Sequence, residues 1–240
     1  MQNRYTGDIG DFGKLGMLRV LQDAGFSIGV NWYLTPNESH NQDGKHTNYD
    51  DLRSCDESLW RELKQIVDSG NRNVAALQKG NILKATFYAE PLVFKGKKKA
   101  ERREIRENWH QNALKKLSGL DLVFVDPDNG LIVKSAEEKP KENKFVLTKE
   151  LADYYEQGSS VIYYQHKARR QDSYYEDQHR QLLSRPEFAG ASGLGIKFWK
   201  TSHRYYFFIL QPEHRDKITK AVHDMLGSEW SKCFSQLPLE

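Results

Sequence analysis

Three short stretches combine residue types that could do chemistry together. Gly7-Asp8-Ile9-Gly10-Asp11-Phe12-Gly13-Lys14 sets two carboxylates and an ammonium among glycines. Read as a loop leading onto a helix that starts near Lys14, it would present backbone N–H groups to an anion at the helix N-terminus. Asp8 and Asp11 would repel a bare phosphate, so a cationic or zwitterionic ligand, or a phosphate bridged by Mg²⁺, fits better. The plainer reading makes Asp11 the cap of that helix. Asp126-Pro127-Asp128-Asn129-Gly130 follows the apolar run Leu122 to Val125. A carboxylate on the last residue of a buried parallel strand points to where open α/β sheets bind ligands. Proline ends the ladder and leaves its carbonyl unused, although Asp-Asn-Gly is also ordinary turn chemistry. Tyr164-Gln165-His166-Lys167-Ala168-Arg169 leaves a second buried strand. There His166 could serve as base, metal ligand or hydrogen-bond donor, and Arg169 could clamp a phosphate or carboxylate, unless the segment is simply a solvated loop. Asp43-Gly44-Lys45-His46, in a long polar segment, would reach the same edge.

These stretches need a scaffold that brings strand ends together. Leu15, Leu18, Leu21 and Ala24 share a helical face that stops at Gly25. Ile28 to Leu34 reads as a first strand, closed by Thr35-Pro36, and a polar loop runs on to Asp51. Leu59, Trp60, Leu63, Ile66 and Val67 form a second helical stripe. One or two short strands fall between Lys79 and Phe94, and Ile105, Trp109, Leu114 and Leu117 mark a third helix. Strands at 121–125 and 160–164 are apolar throughout, as strands covered on both faces must be. A helix is expected at 148–157 and a weaker one near 177–183. The strands Gly195 to Lys200 and Arg204 to Leu210, joined by a short turn, should pair antiparallel, and a helix carrying Ile218, Val222 and Met225 follows. Helices alternating with buried strands predict an α/β fold, a doubly wound, mostly parallel Rossmann-like sheet with a C-terminal antiparallel hairpin.

Composition bounds the function. The 240 residues suit one α/β domain, and no repeat or linker divides 1–240. With 12% aromatic residues the chain should fold. Two cysteines, Cys55 and Cys233, make no disulfide framework, and no apolar run approaches a membrane span. A cytoplasmic protein with no membrane partner is expected. The net charge of +3 hides a basic stretch from Lys95 to Lys116, which could track a phosphate backbone or form a solvated helix face.

The order strand, Asp126-Pro127-Asp128-Asn129, helix, strand, helix and terminal hairpin resembles the C-terminal half of class I S-adenosylmethionine-dependent methyltransferases. The segment RYTGDIGDFGKLGMLRVL followed by IGVNWYLTP resembles the opening of the bacterial ribosomal-RNA adenine methyltransferases that act on the exocyclic amine. The resemblance implies a methyltransferase-type fold, S-adenosylmethionine as cofactor and a nucleic acid or nucleotide partner. It implies catalytic roles for Asp126, Pro127, Asp128 and Asn129, and His166 joins them by its place at the end of a second buried strand on the same edge. Gly7, Asp8, Gly10, Asp11 and Lys14 would lie near the cofactor, and Tyr164, Gln165, Arg169, Lys45 and His46 near the substrate. Asp126 and the Pro127 carbonyl would accept the two N–H bonds of an adenine amine in a pocket that excludes water. Asp128 and Asn129 stand where the family has its second proline and its aromatic, so Tyr163, Tyr164 or Phe12 would supply the stacking platform. The family's glycine-rich turn after the first strand is replaced by Thr35-Pro36-Asn37-Glu38. Two alternatives stay open. Asp8, Asp11, Asp126 and Asp128 could hold Mg²⁺ or Mn²⁺ in a nuclease or phosphodiesterase, or the chain could bind nucleic acid without catalysis.

Overall fold

The computed structural model describes residues 1–38, 44–80 and 82–239. Asp43 lies outside them. In chain order the elements are α1 (Ile9–Asp23), β1 (Ile28–Asn31), α2 (Glu57–Asp68), α3 (Val74–Lys79), β2 (Ala85–Tyr88), α4 (Lys99–Lys116), β3 (Leu122–Val125), β4 (Gly130–Leu131), β5 (Phe145–Val146), α5 (Thr148–Glu156), β6 (Ser160–His166), α6 (Asp172–Leu183), β7 (Ser192–Phe198), β8 (Arg204–Leu210), α7 (Pro212–Leu226) and β9 (Phe234–Gln236). A seven-stranded sheet runs β2-β1-β3-β6-β8-β7-β9, and β4 pairs with β5 apart from it. The first four strands are parallel. β8 then runs antiparallel between β6 and β7, and β9 pairs antiparallel on β7. This is an α/β fold with a mostly parallel sheet and an antiparallel edge, and the expected pairing of β7 with β8 is present.

Alternation along the strands divides the core in two. Val30, Phe124, Ile162 and Tyr206 meet α1, α2 and α7 on one face. Val123, Val125, Val161 and Phe207 meet α4, α5 and α6 on the other. Successive side chains of a strand point to opposite faces, so apolar residues at every position require helices on both sides.

Several boundaries differ from the sequence reading. The stretch 9–14 is helix, not loop: α1 begins at Ile9, and its cap is Asp8 rather than Asp11, with the Asp8 carboxylate accepting from Gly10 N and Asp11 N. Its glycines are there for close approach. A Cβ on Gly10, Gly13 or Gly16 would come within 2.8 Å of Arg204, 2.6 Å of Phe198 or 2.0 Å of Trp230. Each glycine costs the helix roughly 1 kcal/mol against alanine, and packing against those side chains offsets it. β1 stops at Asn31, because the Asn31 side chain accepts from Tyr33 N at 3.1 Å and Tyr33 takes a left-handed φ of 44°. The helix α6 starts five residues before the expected Asp177, and α3 carried no recognised signal. In the basic run, Arg106 is buried on Glu150 at 2.7 Å, and Glu138 pairs with Lys99 and Arg103. Part of that charge therefore answers internal acids. Cys55 and Cys233 are free thiols. Among the described residues no helix is long and apolar enough to cross a membrane.

Candidate functional site

The four parallel strands end at one edge of the sheet, and two of them bring polar side chains to it. β3 delivers Asp126 through Asn129, and β6 delivers Tyr164 and His166. The antiparallel β8 begins where the parallel strands end, so Arg204, paired in register with His166, arrives there too. Together with the first turn of α1 they line a cleft of about 490 Å³.

At its floor Lys14 Nζ donates to Asp11 Oδ1 at 2.8 Å and to Asp126 Oδ2 at 2.5 Å. All three residues are at most 4% exposed. The N-terminal ammonium of Met1 bonds the Asp126 carbonyl at 2.8 Å and pairs with Asp128 Oδ1 at 2.8 Å, and Gln2 donates to Asp128 Oδ2 at 2.7 Å. Charge counting separates the two acid sites. Asp128 pairs directly with the Met1 ammonium, whereas Asp11 and Asp126 share Lys14 as their ion-pair partner and the Met1 ammonium acts on the Asp126 carboxylate without pairing with it. Burial pushes Asp126 and Asp11 above the ordinary carboxylate range, against the pull of Lys14. Burial opposes charge on Lys14 as well, but its two acids outweigh that and hold it above the ordinary lysine range. Asp128 is also opposed by burial, yet the Met1 ammonium, Gln2 and Lys144 bring it below the usual value. Burial, the largest cause, together with one ammonium shared by two acids therefore favours a proton on the Asp11–Lys14–Asp126 group. Among the described residues nothing donates to Asp126 Oδ1 or to the Pro127 carbonyl.

Most of the expected residues converge. Asp8, Gly10, Asp11, Lys14, His46, Asp126, Pro127, Asp128, Asn129, Tyr164 and His166 all line the cleft. Tyr164 Oη lies 3.3 Å from His166 Nδ1, and burial raises the phenol's pKa. Others do not converge. Gly7 sits behind the site, donating to Asp11 Oδ2 at 3.0 Å. Gln165 is structural, because its amide accepts from Leu131 N and donates to the Asn129 and His166 carbonyls, tying β6 to the chain after β3. Lys45 and Arg169 are exposed and outside the lining. Of the possible platforms, Tyr163 bonds His179 on the far face and Phe12 packs between Tyr49 and Trp230, which leaves Tyr164. Sequence reasoning missed Met1, Glu38, Lys144 and Arg204. Glu38 and Lys144 pair at 2.5 Å across segments whose meeting no local pattern announces. Arg204 had a signal: an antiparallel strand must start where its parallel neighbours end.

Two implied ligands can be tested against these residues. The four aspartates do not form a cation cage: Asp8 caps α1, Asp11 and Asp126 clasp Lys14, and Asp128 clasps Met1. Among the described residues no group of three or more His, Cys, Asp and Glu is placed to hold a metal ion. S-adenosylmethionine would need an open glycine-rich turn after β1. Instead Trp32 and Tyr33 are fully buried there, Leu92 N donates to the Leu34 carbonyl at 2.8 Å, and Thr35 N donates to the Met1 carbonyl at 2.9 Å. With that gap closed by backbone, the residues present do not fit the cofactor where the resemblance puts it. The 7–14 segment is no cradle either, since Asp8 already occupies the first N–H groups of α1.

No family model and no curated protein matches the chain. Among solved structures, the crystal structure of protein LPL1258 from Legionella pneumophila str. Philadelphia 1, family-model DUF519, is similar at a TM-score of 0.48 with 12% identity, over 96% of each chain.

Proposed function

We propose that this protein is a nucleic-acid-modifying enzyme of Rossmann-like, methyltransferase-type fold that acts at an amine of a base. The observation that carries the reading is the Asp126–Pro127 corner. It offers two unused acceptors, Asp126 Oδ1 and the Pro127 carbonyl, on the floor of a cleft of about 490 Å³. An exocyclic amine has its lone pair drawn into the ring, and acceptors for both N–H bonds return electron density to the nitrogen. When that nitrogen attacks the transferred group of an electrophilic donor, the donor's bond to its leaving group breaks and the leaving group keeps the electron pair, while the amine gives up a proton that Asp126, one of two buried acids sharing Lys14, is placed to take. Lys14 holds the carboxylate in place, and Tyr164 at the cleft wall supplies an aromatic surface for the base.

The test is nucleoside mass spectrometry of RNA, DNA and free nucleotides after incubation with the protein and a small-molecule cell extract as the source of the group donor, and in parallel with S-adenosylmethionine. A mass change on an amine-bearing base is expected with the native protein and not with Asp126→Asn. The reading fails if the native protein changes no base, or if Asp126→Asn retains full activity. Because the turn after β1 is closed, calorimetry with millimolar S-adenosylmethionine should show no binding. Micromolar affinity would restore methyl transfer from that donor as the reaction.

A further inference from the structure

The mouth of the cleft continues into a surface with its own composition. Lys167 N donates to the His203 carbonyl at 3.2 Å, joining the segment after β6 to the β7–β8 turn. Asp172, the first residue of α6, knits the two further: it pairs with Lys167 and Lys197 and accepts from Tyr205 Oη at 2.8 Å. Ser202 in that turn lines the cleft, as do His166 and Arg204 at the strand ends that flank the two segments. Large exposed hydrophobic side chains are scarce: among the described residues they are Val93, Tyr174 and Trp199. Two of the three fall here, and each has a cation over its ring, Arg170 at 5.4 Å from Tyr174 and Lys200 at 5.4 Å from Trp199.

The charge is one-sided. Asp172 offsets Lys167 and Lys197, and Asp51 reaches Lys200 at 2.9 Å. Arg169 and Arg170 are exposed and have no carboxylate partner among the described residues. Exposed aromatic faces interleaved with uncompensated cations suit a chain of alternating bases and phosphates whose bases are unpaired, because a duplex hides the faces that would stack.

We propose that this rim, Arg169 to Tyr174 together with Trp199 and Lys200, docks the single-stranded nucleic acid flanking the base held in the cleft. Phosphates lie on Arg169 and Arg170, and bases stack on Tyr174 and Trp199. The inference rests on reading the cleft as a nucleic-acid site, and the test separates the two. Affinities for labelled single-stranded and duplex oligonucleotides are measured with the native protein, Trp199→Ala, Tyr174→Ala, the pair Arg169→Glu with Arg170→Glu, and Lys97→Glu with Lys98→Glu as a basic control outside the rim and the cleft lining. Circular dichroism checks that each variant folds, and Trp199→Phe and Tyr174→Phe keep a ring in place. Single strands should bind the native protein more tightly than duplex. Each rim variant to alanine or glutamate should bind roughly tenfold more weakly, whereas the phenylalanine variants and the basic control stay near native affinity. Equal affinity for duplex, unchanged affinity in the folded rim variants, or no binding by the native protein overturns the docking surface. If the rim variants bind normally while the native protein still modifies a base, only the rim is wrong. If the rim binds as expected and no base changes, only the catalytic reading is wrong.

Discussion

Lys14 is the residue on which the site's electrostatics turn. Its ammonium lies between two carboxylates, each of the three side chains at most 5% exposed. Removing it leaves two buried anions facing each other, a loss that typically costs about 3–5 kcal/mol. Urea unfolding of Lys14→Met should show a destabilisation of that order, and adding Asp126→Asn should recover part of it. A loss below about 1 kcal/mol would mean the group is solvated like a surface pair. The acids also set a pH dependence with a defined sign. Asp11 and Asp126 titrate higher in the native state than in the unfolded one. The folded protein therefore holds protons that the unfolded chain has released, and this contribution to stability falls as pH rises from the ordinary carboxylate value through the native one. Asp128 and Glu150 are lowered and act oppositely: their stabilisation is present above the ordinary value and disappears as pH falls through the native one. Urea unfolding across roughly pH 4 to 7 should show the declining component in the native protein and its attenuation in Asp126→Asn.

At the scale of elements, α1 is a helix that its composition opposes. Glycines at 10, 13 and 16 bring its backbone against Arg204, Phe198 and Trp230. That contact holds α1 where Lys14, one turn beyond Asp11 on the helix, reaches Asp126. Two effects compete in Gly16→Ala: the helix gains roughly 1 kcal/mol of propensity, while the new methyl would need space 2.0 Å from the Trp230 ring. Overpacking costs about 1–3 kcal/mol, more at so short a contact, so the clash should win and thermal unfolding should show a lower Tm. In a Trp230→Leu background the same substitution should become neutral or stabilising, and the double-mutant cycle measures that coupling. If Gly16→Ala raises Tm in the native background, the glycine is not there for packing.

At the scale of the whole molecule, the net charge of +3 describes neither end of the charge distribution. The basic run on α4 is partly spent on Glu138 and Glu150, whereas Arg169 and Arg170 at the cleft mouth have no acidic partner among the described residues. Binding of single strands should therefore weaken steeply with salt. The slope of log affinity against log salt should fall by about one for each rim cation removed, with a much smaller change when Lys97 and Lys98 are reversed. A slope that responds equally to both sets would place the phosphates over a far wider area.

Local pattern was enough to show the α/β class, the apolar strands β3 and β6, the β7–β8 hairpin and the carboxylate at Asp126. Hydrophobic period and turn chemistry act over a few residues, and in these elements they agree with the final packing. It was not enough for α1, whose glycines look like a loop until Phe198 and Trp230 are seen against them. It also left Gln165 looking like a ligand contact, because nothing nearby announces the Leu131 and Asn129 backbone groups it satisfies. The ionic partners of the site, Lys14 with Asp126 and Met1 with Asp128, are separated by more than a hundred residues, as are Arg204 and the Asp8 region. A charge on a sequence carries no sign of which opposite charge will be buried beside it. That choice follows from where strand ends meet, and only the tertiary structure makes it.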